Sequence, residues 1–227
     1  MTALLEVKSL TGGYQDTNVV FDISFQIEAG SLLGVLGRNG VGKTTLARLV
    51  QGSIPSSAGE ISFAGQPIGD LPAHARRKLG LGYMPQTSMV FDDLTVHENL
   101  HLGHNATPPE HYFDLFPRLA ERLKQPAGTM SGGERKILAF VRAMSEDTQL
   151  IILDEPSEGV QPENIDRMAE CLRERVAKGA SVLLCEQNLN MLSNVSDCFM
   201  GLDSGRITMT GNKANTTRED LNAVLSL

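Results

Sequence analysis

The chain has 227 residues, 41% of them apolar and 21% charged, and 20 basic against 27 acidic residues give it a formal charge of −7. That length suits one large domain with a full core, and these fractions exclude overall disorder. The acidic balance provides no global field for a polyanion, which argues against nucleic acid as a partner.

In chain order, Phe21, Ile23, Phe25 and Ile27 alternate with Asp22, Ser24 and Gln26, predicting a half-buried strand. Glu28-Ala29-Gly30 turns the chain. Leu32-Leu33-Gly34-Val35-Leu36 is nearly all apolar, as a strand covered on both faces should be. A Gly-rich loop follows, then a helix over Thr44 to Gln51 with Gly52 as its C-cap. From about 87 to 145 strand signals vanish and Pro108, Pro109, Pro117 and Pro126 punctuate helical segments, predicting a mostly helical subdomain. Leu150–Leu153 and Val182–Cys185 then read as short buried strands. Between them Ile165, Met168, Ala169, Leu172 and Val176 repeat at helical spacing up to Gly179. Strand, crossover helix and strand make a βαβ unit, hence a parallel sheet. Cys198–Leu202 and Arg206–Thr210 read as a hairpin, and a terminal helix starts at Arg218. The expectation is one α/β domain over 1–227: a core with a β subdomain in 1–86 and 146–227, and the helical subdomain in 87–145.

Two further features set the compartment. Cys171, Cys185 and Cys198 are scattered without CxxC, so they read as small buried hydrophobes rather than a disulfide or zinc framework. The longest apolar run, Ile137 to Val141, is far short of the about 20 residues of a membrane span, and Glu6 argues against a secretory signal. A soluble, cytoplasmic protein is expected, able to dock on a membrane partner.

Gly37-Arg38-Asn39-Gly40-Val41-Gly42-Lys43-Thr44 fits G-x-x-x-x-G-K-[ST] in full, with a strand before it and a helix after it. Glycines let the backbone curl so that N–H groups face phosphate oxygens, and the helix adds the positive end of its dipole. Lys43 would reach the β- and γ-phosphates, and the Thr44 hydroxyl would ligate Mg²⁺. Leu150–Leu153 place Asp154 at a strand's C-terminal end, where open α/β sheets bind ligands. Asp154 is read as a Mg²⁺ holder, and Glu155 as the base that polarises the attacking water. Together they predict hydrolysis of a nucleoside triphosphate with magnesium.

Ser131-Gly132-Gly133-Glu134-Arg135 opens an apolar-striped helix and is locally a capping box. It is also a second anion-binding helix start. Two such starts do not fit around one γ-phosphate in a compact monomer. Two chains head to tail can use one of each, sandwiching two nucleotides in a C2 dimer.

From about Leu5 to Gly211 the chain resembles the ATP-binding subunit of an ABC transporter, a P-loop NTPase with a mixed sheet core, an antiparallel β subdomain and a helical subdomain. Met130-Ser131-Gly132-Gly133-Glu134 resembles the family signature LSGGQ, Tyr14 the A-loop aromatic that stacks on adenine, and Tyr83-Met84-Pro85-Gln86 the Q-loop, whose Gln86 would touch Mg²⁺. The resemblance implies an ATP site running from Gly37 to Thr44 and Thr45, completed by Ser131 to Glu134 of a partner cassette. Two departures stand out. Gln187 occupies the place of the switch histidine; an amide takes no proton but can hydrogen-bond a γ-phosphate. The D-loop, Ser157-Glu158-Gly159-Val160-Gln161-Pro162, lacks the usual aspartate. These departures are similar to the branched-chain amino acid, urea and short-chain amide importers, with Arg38, Val41 and Val160-Gln161-Pro162 nearer the urea and amide members. The resemblance implies a homo- or heterodimer of cassettes and two membrane permease subunits on the inner face of the membrane. It also implies an external solute-binding protein. The permeases would dock near Gln86 and the segment Thr87 to Asn99.

Two alternatives compete. His97-Glu98-Asn99-Leu100-His101 matches H-E-x-x-H of zinc peptidases, with His104 and His111 as further ligands. A non-transport ABC protein, of DNA repair or translation, is the other; 227 residues leave no room for coiled-coil insertions or a second cassette. Arg76-Arg77-Lys78 reads as a solvated helix surface.

Overall fold

The computed structural model describes residues 3–15, 17–103 and 105–226. The first strands are β1 (Ala3–Tyr14), β2 (Thr17–Glu28) and β3 (Leu32–Leu36). Helix α1 (Lys43–Gln51) leads to β4 (Ser56–Phe63), β5 (Gln66–Pro67), α2 (Ala73–Lys78) and β6 (Leu81–Met84). The middle of the chain holds α3 (Val96–Leu100), α4 (Pro117–Glu121) and α5 (Gly132–Ser145). Then come β7 (Leu150–Asp154), α6 (Pro162–Ala177), β8 (Ser181–Glu186), α7 (Leu189–Val195), β9 (Cys198–Asp203), β10 (Arg206–Asn212) and α8 (Arg218–Ser226).

The strands form two sheets, an antiparallel one in the order β2-β1-β4-β5 and a six-stranded one in the order β10-β9-β3-β8-β7-β6. In the second, β9, β3, β8, β7 and β6 run parallel and β10 pairs antiparallel at the edge. Its strands β3, β7 and β8 are buried throughout, so their apolar runs do not alternate. Alternate residues still face opposite cores. Leu33, Val35, Leu150, Ile152 and Leu183 pack with α1 and the antiparallel sheet. Leu32, Leu36, Ile151, Leu153 and Leu184 pack with α5, α6 and the middle segment. At the centre of that second core Phe140 is fully buried and meets the Phe116 ring edge-on at 6.4 Å; truncating such a side chain costs about 3–5 kcal/mol.

The alternation expected in β2 holds, with Asp22, Ser24 and Gln26 exposed, Ile23 and Ile27 fully buried and Phe21 and Phe25 half-buried. Asp22 has φ +51°, and this bulge shifts the pairing so that Leu10 faces Ile23 and Gly12 faces Val20. Two other expectations need correction. The middle segment is less helical than expected. Pro109 and Pro117 each open a helix of only four or five residues, and only α5 is long. It shares the core of the parallel sheet. Cys171 and Cys185 are buried, but Cys198, at the start of β9, is exposed.

Candidate nucleotide site

The parallel sheet brings its candidate residues to one edge. Leu36 pairs with Glu186, Asp154 with Cys185, and Met84 with Leu153. The loops that follow β3, β6, β7 and β8, carrying Gly37, Gln86, Glu155 and Gln187, therefore leave the sheet side by side, at the carboxyl ends where α/β sheets bind ligands.

Gly42 caps α1 with φ +113°, a conformation open to glycine and strained for other residues. No side chain caps this helix and no acid sits in its first turn, whereas Thr95, Ser131 and Asn188 cap α3, α5 and α7. The start of α1 is thus built to meet an outside anion. Lys43 is 3% exposed. Its Nζ donates to the Gly37 carbonyl at 2.8 Å and the Arg38 carbonyl at 3.0 Å, and pairs with Glu155 Oε1 at 2.9 Å. A cavity of about 150 Å³ opens here, lined by Val19, Asn39, Gly40, Gly42, Lys43, Thr44, Thr45, Gln86 and Glu155.

On its floor the Thr44 hydroxyl donates to Asp154 Oδ1 at 3.1 Å, and Tyr83 donates to Oδ2 at 3.5 Å. Asp154 is fully buried, and burial pushes its carboxyl up against the pull of Thr44. Burial also raises the Tyr83 phenol. A half-buried hydroxyl on a buried carboxylate beside a lysine suits a hard divalent cation with oxygen ligands. Glu155 stands at φ +49°, with its N–H donating to the Cys185 carbonyl at 2.8 Å. Such a backbone is costly for a side-chain-bearing residue and collects at functional sites. Gln86 Nε2 donates to Glu155 Oε2 and to Glu158 Oε2, both at 3.1 Å. Lys43, Thr44, Asp154, Glu155 and Gln86 therefore form one connected cluster.

Other candidates lie apart from it. Tyr14 is 39% exposed, accepts a hydrogen bond from Arg48 at 3.2 Å and lies outside the cavity lining. Gln187 is exposed and also lies outside that lining. Its neighbour Glu186 had escaped the motif reading. That carboxylate, 2% exposed, accepts from the N–H groups of Ser157 at 2.8 Å, Gln187 at 2.9 Å and Asn188 at 3.0 Å. An acid closing an apolar strand was the available signal.

The second helix start is elsewhere. Ser131 Oγ accepts from the Glu134 N–H at 3.3 Å, and Glu134 Oε2 accepts from the Ser131 N–H at 2.9 Å. Ser131, Gly133 and Glu134 line a separate cavity of about 550 Å³ with Arg118, Arg122 and Met130. A Cβ on Gly133 would lie 2.8 Å from the Gly159 carbonyl oxygen, so only glycine lets α5 start against the D-loop.

The sequence model of the ABC transporter family matches residues 20–158. The chain belongs to the ABC transporter family. It is the ATPase subunit of a transporter, and it binds ATP and uses Mg²⁺. Over 220 residues this ABC cassette is 35% identical to the probable branched-chain amino acid transport ATP-binding protein LivF of Archaeoglobus fulgidus, covering 92% of each chain. It is also 35% identical to the high-affinity branched-chain amino acid transport ATP-binding protein BraG of Pseudomonas aeruginosa, covering 91% of each. The lipopolysaccharide export system ATP-binding protein LptB of Haemophilus influenzae is 30% identical over 218 residues, covering 92% of this chain and 90% of that one. A solved ATP-binding subunit of an ABC transporter superposes with a TM-score of 0.84 at 30% identity, over 99% of this chain and 100% of the other.

The H-E-x-x-H segment has different work in this cassette. Glu98 reaches back to the Thr95 N–H at 2.8 Å and takes the Thr95 hydroxyl, completing a capping box. His101 Nδ1 meets the His97 carbonyl at 2.8 Å, and the two rings stack at 4.2 Å. The expected third ligand His104 lies outside the described residues, and His111 pairs with Glu174 at 2.9 Å.

Proposed function

We propose that this ABC cassette pairs head to tail with a second cassette, itself or a sibling chain, and energises uptake of a small polar solute. The supporting observation is that its two anion-type helix starts line separate cavities, one with Lys43 and one with Ser131. Each cavity is half of a nucleotide site until the other chain supplies its counterpart.

In this reading Gly37, Arg38, Asn39, Gly40, Val41, Gly42, Lys43, Thr44 and Thr45 hold the phosphates. Tyr14 stacks on adenine, and Ser131, Gly132, Gly133 and Glu134 of the partner cassette close over the γ-phosphate. Magnesium, held by Thr44, Asp154 and Gln86 when bound, supplies charge that offsets the phosphates. Lys43 exchanges its ion pair with Glu155 for phosphate oxygens. That exchange frees Glu155 to take a proton from a water whose oxygen attacks the γ-phosphorus, and ADP leaves. Gln187 donates a hydrogen bond to the γ-phosphate.

Among the described residues no helix is long and apolar enough to cross a membrane. Met89 and Phe91 are 61% and 55% exposed, just beyond Gln86, and offer permease subunits an apolar foothold on the inner face of the cell membrane. LivF and BraG favour a branched-chain amino acid as solute, delivered by an extracytoplasmic binding protein; the residues around Arg38 and Val160 favour urea or a short-chain amide. The LptB relatives favour a second reading, lipid export. Co-purified permeases and a binding protein with its solute separate the two.

The deciding experiment is Glu155→Gln in the full chain. ATP turnover should fall at least about 100-fold while light scattering shows a dimer formed with ATP, and Ser131→Arg should abolish that dimer. Near-normal turnover would remove Glu155 as base, and full activity of an obligate monomer would remove the paired site.

A further inference from the structure

Lys136 lies in the second turn of α5 and is 4% exposed. Its Nζ donates to the Gln86 carbonyl at 2.5 Å and stands 3.9 Å from Glu158 Oε2. Gln86 lines the nucleotide cavity, and Glu158 joins it through the Gln86 carboxamide. The Gln86 carboxamide donates to Glu158 Oε2 and, at the same 3.1 Å, to Glu155 Oε2, and Glu155 pairs with Lys43. An unbroken polar chain thus runs from the phosphate loop through Glu155, Gln86 and Glu158 to the helix opened by Ser131. One turn and a half further along α5, Arg142 donates to the Met89 carbonyl at 2.8 Å. The segment held between these two cations contains Ser88 and Met89, both at positive φ (+66° and +37°). The helix therefore grips a strained loop by its backbone at both ends.

A buried ammonium costs free energy that a methionine of similar reach would avoid. Burial does press the Lys136 pKa down, opposed by Glu158, Glu186, Asp154 and Glu155. Nothing in the packing of α5 requires that charge, since Ile137, Leu138 and Val141 supply its apolar face. The acceptors show its use. We propose that Lys136 is a positioning residue for ATP hydrolysis, tying the Ser131 helix to the Gln86 backbone and the Glu158 carboxylate so that the Gln86 carboxamide stays on Glu155. This rests on Glu155 being the base.

Steady-state ATPase kinetics of the full chain test it. Lys136→Met should lower kcat about 10-fold or more with the ATP KM changed less than about threefold, because the interaction acts on the base and not on ATP binding. Lys136→Arg should restore most of kcat, since a guanidinium also reaches a carbonyl and a carboxylate. Glu158 is 55% exposed, so Glu158→Gln will fold. It should also lower kcat, and the double variant should be no slower than Lys136→Met alone. A kcat within twofold of wild type in Lys136→Met overturns the proposal. So does a KM that rises with falling thermal stability while kcat holds, or strict additivity with Glu158→Gln. Glu155→Gln run alongside separates the failures: if it retains turnover the base assignment falls, and if it alone is inactive only the role of Lys136 falls.

Discussion

The starts of α1 and α5 are both anion-type helix N-termini opened by glycine-rich turns, yet they are finished in opposite ways. At α1 the cap is Gly42, no side chain satisfies the first turn, and a buried lysine faces the gap. At α5 Ser131 and Glu134 satisfy each other, and the glycines serve close approach to the D-loop instead. An end left without side-chain partners is poised to hold phosphate by itself. An end already capped offers hydroxyl and backbone groups as the second face of a site whose phosphates are held elsewhere. One chain carrying both kinds is the physical basis for reading this cassette as half of a pair.

The contrast breaks most sharply at Lys43. Lys43→Ala should reduce kcat/KM for ATP by at least about 100-fold, whereas Ser131→Ala should leave ATP binding to the isolated chain within about twofold and lower turnover only in the pair. Equilibrium titration with a fluorescent ATP analogue separates them; equal loss in both would erase the distinction between holding and closing ends. A milder break is Gly42→Ala. A Cβ there meets only ordinary contacts, Val20 Cγ2 at 3.5 Å, so the penalty is the backbone at φ +113°. It should be about 1–3 kcal/mol, read as a lower Tm and weaker nucleotide binding. An unchanged Tm would show that the turn tolerates other conformations.

Glu186, outside the cavity lining, sharpens the comparison because it is an internal cap on a loop rather than on a helix. Its two oxygens serve three N–H groups, one in the D-loop and two in the turn that carries Gln187. Glu186→Ala should cost about 1–3 kcal/mol for the donors left unpaired, a Tm decrease of roughly 2–10 °C for a chain of this size. Glu186→Gln should recover only part, since its NH₂ must point at one donor group. Calorimetry on both variants checks this, and full recovery by Gln would show that only one oxygen matters.

How far the sequence carried the fold follows from the kind of signal. Buried parallel strands and the α6 crossover declare themselves by uninterrupted apolar runs and helical spacing, and β7, α6 and β8 lie where those patterns put them. The candidate phosphate loop is legible because its residue pattern is local. Features set by distant contacts were not: the Asp22 bulge answers to pairing with β1, and the short middle helices to the core they share with the parallel sheet. The site divides the same way. Lys43, Thr44 and Asp154 were legible, but the positive φ of Glu155, the triple acceptor role of Glu186 and the burial of Lys136 arise only when β7, β8 and α5 meet.

The smallest effect probes whether the capped end depends on charge. Glu134 is held below the ordinary glutamate value of 4.5, first by the Ser131 backbone N–H, which outweighs the opposing cost of burial with help from the Ser131 hydroxyl, Arg122 and Arg118. A carboxyl with a depressed folded pKa binds fewer protons folded than unfolded. Its contribution is therefore complete above about 4.5 and is lost as pH falls through the folded value. Glu134→Gln keeps an oxygen for the Ser131 N–H but removes the charge near the helix dipole and Arg122, 3.4 Å away. At pH 7 the variant should be less stable by up to about 1 kcal/mol, a Tm difference of roughly 2–4 °C. That difference should shrink steadily as pH drops from 5 toward 3.5. If it stays constant across that range, the charge contributes nothing and the difference from glutamine lies in geometry alone.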